Sequence, residues 1–146
     1  MVDTSVQIDQ TIFYFLDKSI KTYRQFAQRN INEAGLNITI DQWLVLNALA
    51  QHPEATQHEI AEAVFKDTAS LTRIIDLLVS KGILHRELST TDRRRFVVTL
   101  TEEGKQVLEA VQKVSERNRS QALEGINESD IKAAKHLLAK IINNCQ

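Results

Sequence analysis

The chain has 146 residues, of which 42% are hydrophobic and 25% are charged, a balance typical of one globular domain. Its four glycines and one proline leave little material for flexible linkers or many tight turns, so the composition favours helices. The apolar runs are much shorter than a membrane span, and the amino terminus lacks the basic and apolar regions of a secretory signal. These features predict a cytoplasmic protein that does not enter a membrane.

The charges are unevenly distributed along the chain, although the net charge is only -1. Seven basic residues lie between Lys66 and Arg95 against four acidic ones, which leaves a net of +3 in this segment and -4 in the remainder. Attraction to phosphate acts over about one Debye length, so a local basic surface is sufficient for it. The segment therefore predicts one basic surface on an acidic scaffold.

Residues for catalysis or metal binding are not grouped in the sequence. Cys145 is the single cysteine, so the chain can form neither an intramolecular disulfide nor a multi-cysteine zinc site. No two histidines have the spacing of a metal site on one helix face, and no catalytic triad or glycine-rich phosphate loop is present. We therefore expect no metal, no cofactor and no enzymatic activity. The four histidines are His52, His58, His85 and His136.

A long first helix is predicted from Ile8 to about Ile31, because apolar residues recur there every three or four positions. Phe13, Phe15 and Phe26 lie off this stripe, so the helix is apolar on more than one side. A helix of that kind needs a second apolar partner. A dimer interface is one such partner.

Two short helices are predicted next, each from a capping signal. Thr39 with Gln42 three residues later begins the second helix, and Pro53 prevents it from continuing. Thr56 with Glu59 forms the same pair at the start of the third helix.

A fourth helix and a hairpin complete this part of the chain. Asp67 is a good N-cap for a helix over residues 68–81, which Gly82 ends. Helices three and four are spaced as a helix-turn-helix. The pattern changes over residues 83–88, and a turn-rich polar stretch and a β-branched run over residues 96–100 then predict a β-hairpin.

Two further helices are predicted after the hairpin. The first opens at Thr101, and Asn127 with Asp130 is expected to cap the second, whose apolar stripe ends at Cys145. The predicted fold is mainly α with a small β-hairpin wing. It is a winged helix-turn-helix with long amino- and carboxy-terminal helices.

The stretch from Ile40 to Gly104 resembles the MarR family motif by motif. The most specific piece is the wing, where Asp92-Arg93-Arg94-Arg95 and then Leu100-Thr101 and Gly104 match the family pattern Asp-x-Arg followed by Leu-Thr-x-x-Gly. Other matching pieces lie in the second, third and fourth helices and at the exit of the fourth, at residues 42–46, 57–61, 71–78 and 81–84.

The resemblance implies a transcriptional regulator that binds double-stranded DNA as a homodimer. In that family the terminal helices of both subunits interlock, the fourth helix enters the major groove, and the wing reaches a minor groove. Many members are repressors that a small phenolic or other aromatic ligand releases. A two-fold dimer is expected to prefer a pseudo-palindromic operator with half-sites about one helical turn apart.

The resemblance also divides the chain into parts. It implies a single domain over residues 1–146, with the DNA-binding winged helix at 39–104 and dimerisation helices at 4–34 and 105–146. The residues expected at the dimer interface are Ile8, Ile12, Leu16, Ile131, Leu138 and Ile141.

The fourth helix has the composition of a DNA-recognition helix. Its inward stripe is expected at Leu71, Ile74, Ile75 and Leu78, which leaves small and basic residues towards solvent. Hydroxyls can bind bases or phosphates, a methyl group can contact thymine, and an arginine can reach phosphate or guanine. Asp76 would repel phosphate, so it is expected to turn outward or to pair with Arg73. The predicted DNA contacts here are Lys66, Thr68, Ala69, Ser70, Thr72 and Arg73.

The wing tip contributes the other predicted DNA contacts, Asp92, Arg93, Arg94 and Arg95. Three consecutive arginines on an exposed hairpin cannot contribute to a hydrophobic core. They therefore indicate that the hairpin binds an anionic partner. Arg94 is expected in the minor groove, where a narrow A-T tract concentrates negative potential. Asp92 is expected to hold one of the arginines in position. The alternative is an ordinary solvated basic turn.

A pocket for a small aromatic effector is predicted between the terminal helices and the winged part, where Phe13, Tyr23, Arg24 and Trp43 could converge. The alternative is that these aromatic residues only pack the core. Two other functions remain open: a winged-helix protein-interaction module without specific DNA binding, and a metal or thiol sensor of the same fold. Replacing Cys145 or adding zinc would alter DNA affinity only in such a sensor.

Overall fold

The computed structural model describes residues 7–92 and 95–146. A single 3-10 turn at Ile8–Gln10 precedes six helices and two strands in these residues. The elements, in chain order, are α1 (Ile12–Glu33), α2 (Ile40–Gln51), α3 (Gln57–Ala63), α4 (Thr68–Ser80), β1 (Leu84–Leu88), β2 (Phe96–Leu100), α5 (Glu102–Ala122) and α6 (Glu128–Cys145). This order confirms the predicted fold, mainly helical with a small β wing.

Most helices begin at a residue whose side-chain oxygen accepts a backbone N–H three positions later, which satisfies one of the free donors at a helix start. Thr39 forms the predicted capping box with Gln42 at the start of α2. The residues that cap in this way are Thr11, Thr39, Thr56, Asp67 and Thr101.

Three details of the helix starts differ from the prediction. The α-helix begins at Ile12 and not at Ile8, because Thr11 is extended and caps it. At α3 the hydroxyl of Thr56 donates to the Glu59 carboxylate at 3.1 Å, so the reciprocal bond of a capping box is replaced by a side-chain pair. Asn127 makes no side-chain capping bond to α6, so its predicted role as a cap is wrong.

The hairpin is antiparallel, with Leu84 opposite Leu100 at its base and Leu88 opposite Phe96 near its tip. The backbone N–H of Ser89 donates to the carbonyl of Arg95 at 2.8 Å and so extends the pairing by one step into the loop. The hairpin is therefore the wing, and Ser89 and Arg95 mark the end of its pairing.

The core lies between α2, α3, α4 and α5, with the base of the hairpin and the end of α1 packed against it. Its largest fully buried side chains are Ile31, Leu46, Ile60, Leu71, Ile75, Leu78, Val45 and Val111. Helix α6 contributes no buried residue. Within residues 7–92 and 95–146, no helix is long and apolar enough to cross a membrane, and no group of three or more His, Cys, Asp or Glu could hold a metal ion.

Candidate nucleic-acid interface

Helix α4 turns one face to the core and leaves the other open. The inward stripe is confirmed, since Leu71, Ile75 and Leu78 are buried and Ile74 is half-buried. The open face consists mainly of short side chains, which allow close approach to another surface. Its exposed members are Thr68, Ala69, Thr72, Arg73 and Asp76, and Ser70 is half-buried.

The amino-terminal turn of α4 is held by local hydrogen bonds. The Asp67 carboxylate accepts the backbone N–H of Ser70 at 2.7 Å. Hydrogen bonds from the Ser70 backbone and side chain hold the pKa of Asp67 below its ordinary value. The Ser70 hydroxyl accepts from Arg73 at 3.1 Å, and the Thr72 hydroxyl donates to the carbonyl of Thr68 at 2.9 Å. The first turn is thus ordered without any partner molecule.

Asp76 is exposed, as the first of its two predicted alternatives has it, and it pairs with the wing and not with Arg73. Its carboxylate lies 2.6 Å from the guanidinium of Arg86 on β1. The same guanidinium lies over the ring of Phe96, 5.4 Å from the ring centroid. Because β1 passes beside the outer face of α4, the carboxylate reaches across to the strand. This contact links β1 of the wing to α4.

The base of the wing is tied to α5 by Thr101 and Gly104. The Thr101 hydroxyl donates to the carbonyl of Gly82 at 2.7 Å and accepts the backbone N–H of Gly104 at 3.0 Å. A Cβ atom at Gly104 would lie 2.1 Å from the carbonyl oxygen of Ile83. The Leu-Thr-x-x-Gly motif therefore forms a junction between the wing and α5.

The described part of the wing tip contains Asp92 and Arg95, both exposed. The backbone N–H of Arg95 donates to the carbonyl of Asp92 at 3.1 Å, and the Ser89 hydroxyl accepts the N–H of Asp92 at 3.2 Å. Arg93 and Arg94, which the sequence predicts as DNA contacts, lie outside the described residues.

Asp41 at the start of α2 binds two basic side chains, an arrangement that sequence analysis did not anticipate. One carboxylate oxygen lies 2.5 Å from the Arg24 guanidinium on α1, and the other lies 3.1 Å from the Lys66 ammonium in the α3–α4 turn. Burial by itself would raise the pKa of Asp41, but the hydrogen bonds and positive charges of Arg24 and Lys66 hold that pKa below its ordinary value. The cluster ties the helix-turn-helix to α1.

The Asp41 cluster predicts a specific pH dependence of stability. A carboxylate whose pKa is lowered by folding contributes stability that is complete above about pH 4 and is lost as the pH falls through its folded-state pKa. We expect the urea midpoint of the native chain to fall below pH 4 more steeply than that of Asp41→Asn. Chemical denaturation at pH 3, 4, 5 and 7 measures this. Asp17→Asn, at an exposed ion pair with Lys21, is the control, and parallel profiles for native chain and Asp41→Asn would contradict the prediction.

The basic surface is narrower than the sequence indicates. Of the five described basic residues between 66 and 95, Lys66 binds Asp41, Arg86 binds Asp76, and Lys81 donates to the carbonyl of Asn37 at 3.0 Å. Arg73 and Arg95 are the described basic residues of this segment that stay exposed. Positive charge is therefore concentrated at α4 and the wing.

The four residues predicted for an effector pocket have different surroundings in the described chain. Arg24 binds Asp41, and Phe13 is exposed near the start of α1. Trp43 is half-buried and its indole N–H has no hydrogen-bond partner among the described residues. Tyr23 lines a groove of about 710 Å³ between α1 and the end of α5. The other aromatic walls of this groove are Phe15 and Phe26, and Arg29 and Gln121 are among its polar ones.

The terminal helices expose apolar side chains that no other described element covers. Ile8 is 79% exposed and Ile12 is 45% exposed, while Leu16 is half-buried. On α6, which has no buried residue, Ile131, Leu138 and Ile141 are half-buried. Further large apolar side chains are exposed on the same two helices, at Phe13, Phe15, Ile20, Leu137 and Ile142.

Comparison with known proteins agrees with this architecture. A family model described as the MarR family matches residues 34–95, which span α2, α3, α4, β1 and the wing loop. This range contains all of the residues predicted as DNA contacts and ends before the junction at Thr101 and Gly104.

Three solved structures of bacterial proteins are similar over nearly their whole length. BpsR of Bordetella bronchiseptica, whose DNA binding is regulated by 6-hydroxynicotinic acid, is 23% identical with a TM-score of 0.83, over 93% of this chain and 96% of that one. MepR of S. aureus, in complex with DNA, is 21% identical with a TM-score of 0.83, over 96% of this chain and 100% of MepR. CouR of Rhodococcus jostii RHA1, bound to p-coumaroyl-CoA, is 20% identical with a TM-score of 0.79, over 94% of this chain and 95% of CouR. At these identities the likeness establishes a common fold.

Proposed function

We propose that this chain is a winged-helix transcriptional regulator of the MarR family, whose model matches residues 34–95, and that it binds a specific double-stranded DNA sequence as a repressor. The observation that carries the proposal is the open face of α4 beside the wing. That face offers small side chains, hydroxyls and Arg73. Base edges in the major groove are read by such groups.

The geometry supports different DNA contacts for helix α4 and for the wing. The face of α4 that carries Thr68, Ala69 and Thr72 enters the major groove, and the wing arginines lie along an adjacent minor groove. The ion pair between Asp76 and Arg86 links α4 to β1, so part of the contact between helix and wing exists before DNA binds. MepR, which shares the fold, is known in complex with DNA.

Selection from random duplex DNA, followed by titration of the selected duplex at two salt concentrations, tests the proposal. A regulator would enrich a pseudo-palindrome with half-sites about one helical turn apart and would bind it with steep salt dependence. If no sequence is enriched and binding is weak, the chain is instead a winged-helix interaction module.

We further propose that the chain is a homodimer formed through segments 4–34 and 105–146, as is typical of the family. The apolar residues exposed on α1 and α6 support this, because large contiguous apolar surface is rare on monomers. A two-fold axis would also place two copies of α4 on one face of the DNA.

Charged substitutions at the exposed apolar positions test the dimer. We expect Ile12→Asp combined with Ile141→Asp to yield a monomer, since the partner would bury two unpaired charges, each costing several kcal/mol. Analytical ultracentrifugation measures the mass, and circular dichroism checks that helix content is kept. Leu77→Asp, at an exposed apolar residue of α4, is the matched control. A double variant that sediments as a clean dimer would assign dimerisation to another surface.

We also propose that a small aromatic effector releases the DNA. The aromatic groove that contains Tyr23 supports this, as do the aromatic molecules named for BpsR and CouR. Trp43 is the single tryptophan, so its fluorescence reports on the region between α1 and α2. Titration with aromatic carboxylates should change this fluorescence and weaken DNA binding together. A compound that changes neither is not the effector.

A further inference from the structure

The turn between α3 and α4 contains a residue in an unfavourable backbone conformation. Phe65 has φ = 60°, and among the described residues it is the one non-glycine residue with positive φ. The left-handed region is costly for residues other than glycine, asparagine and aspartate. A phenylalanine at such a position calls for an explanation.

The same turn occurs at two other helix ends, where glycine is used. Helices α1, α3 and α4 all end with the hydrogen-bond pattern in which one N–H bonds three residues back and the next bonds five residues back. The left-handed residue is Gly35 at the end of α1 and Gly82 at the end of α4, with φ of 77° and 76°. The helix-turn-helix turn thus has phenylalanine where the chain elsewhere uses glycine.

The ring of Phe65 does not stabilise the fold. It is 92% exposed, the highest value among the large apolar side chains described, and it takes part in none of the described ring contacts. The next residue, Lys66, turns inward to Asp41, whereas Phe65 turns outward. Burial in the core therefore does not account for the phenylalanine.

The position of Phe65 indicates what the ring contacts. It lies two residues before Asp67, the N-cap of α4, and three before Thr68 on the open face of that helix. An apolar ring beside the amino terminus of a recognition helix can cover a thymine methyl group or the carbon face of a deoxyribose. Lys66 is engaged by Asp41, so the turn meets DNA with its ring and not with a free ammonium.

We propose that Phe65 is a DNA-contacting residue, whose ring covers a thymine methyl group or a deoxyribose of the operator beside the start of α4. The inference rests on the proposed DNA-binding function. If the contact removes about 40 Å² of ring surface from water, its loss corresponds to roughly fivefold in affinity.

Phe65→Gly and Phe65→Asn test the inference, because both residues tolerate the left-handed conformation. We expect each variant to bind the selected duplex about fivefold more weakly, with a Tm equal to or above that of the native chain. A residue that merely held the turn would show the opposite pattern, in which Tm and affinity fall together, and that result would overturn the proposal. Phe65→Leu, which keeps an apolar side chain, should recover part of the affinity.

Duplexes with uracil in place of each thymine of the half-site, one at a time, identify the contacted group. If it is a methyl group, the native chain loses affinity at one position and Phe65→Asn shows no loss there. If it is a deoxyribose, the two proteins respond alike to every uracil, and Phe65→Asn stays weaker throughout. Equal affinity of the native chain and both variants overturns the Phe65 inference alone. Absence of any selected sequence for the native chain overturns the proposed function and the inference with it.

Discussion

Replacing Gly104 with alanine is expected to lower the free energy of unfolding by about 3 kcal/mol, at the upper end of what overpacking costs. The added Cβ would lie 2.1 Å from the carbonyl oxygen of Ile83 and 3.3 Å from its side chain. A backbone carbonyl cannot turn away as a flexible side chain can, so the start of α5 and the base of the wing must separate. Urea denaturation followed by circular dichroism measures the change.

Gln106→Ala provides the comparison for Gly104→Ala, since Gln106 is exposed on the same helix. We expect it to change stability by no more than about 0.5 kcal/mol. Because Gly104 lies against Ile83, which directly precedes β1, Gly104→Ala should also weaken DNA binding in conditions where the protein is still folded. A variant as stable as the native chain would mean that α5 and Ile83 lie farther apart than described.

Arg94→Ala is expected to reduce affinity for the selected duplex at least about tenfold at matched salt, with dimer mass and helix content unchanged. An arginine in a narrow minor groove is held by concentrated negative potential, and its removal loses that attraction. Arg117→Ala removes the same charge from an exposed position on α5 and is the control. Fluorescence anisotropy with labelled duplex measures both.

A change of operator sequence makes the test of Arg94 sharper. Replacing A·T pairs by G·C pairs under the wing adds an amino group to the minor groove and widens it. The native chain should lose affinity for that duplex, whereas Arg94→Ala should bind both duplexes alike. An equal loss in both proteins would place the arginine elsewhere on the DNA.

The helix starts and the wing could be predicted because their signals are local. A capping side chain acts three residues along the chain, so Thr39 and Asp67 mark the starts of α2 and α4 in the sequence. The inward stripe of α4 follows in the same way from a period of 3.6 residues. Asn127 shows the limit of such rules, since a residue of the right type need not make the capping bond.

The contacts that organise the candidate site could not be predicted in this way. Asp76 and Arg73 are neighbours on one helix face, so a local rule pairs them, but β1 brings Arg86 closer. Asp41 meets Arg24 and Lys66 because three helices converge there. In both cases the partner comes from another element, and its distance depends on packing.

By itself, the sequence determined the order of elements, the faces of the helices, the resemblance to a family and the composition of the predicted DNA-binding surface, because these depend on periodicity, caps and local motifs. Only the tertiary structure decided which basic side chains are engaged in ion pairs within the chain and which residue joins α4 to the wing. It also decided that Phe65 is exposed in a left-handed turn. The physical reason is the distance along the chain over which each interaction acts. Backbone propensity acts over a few residues, whereas ion pairs and steric limits depend on elements that are distant in sequence and adjacent in space.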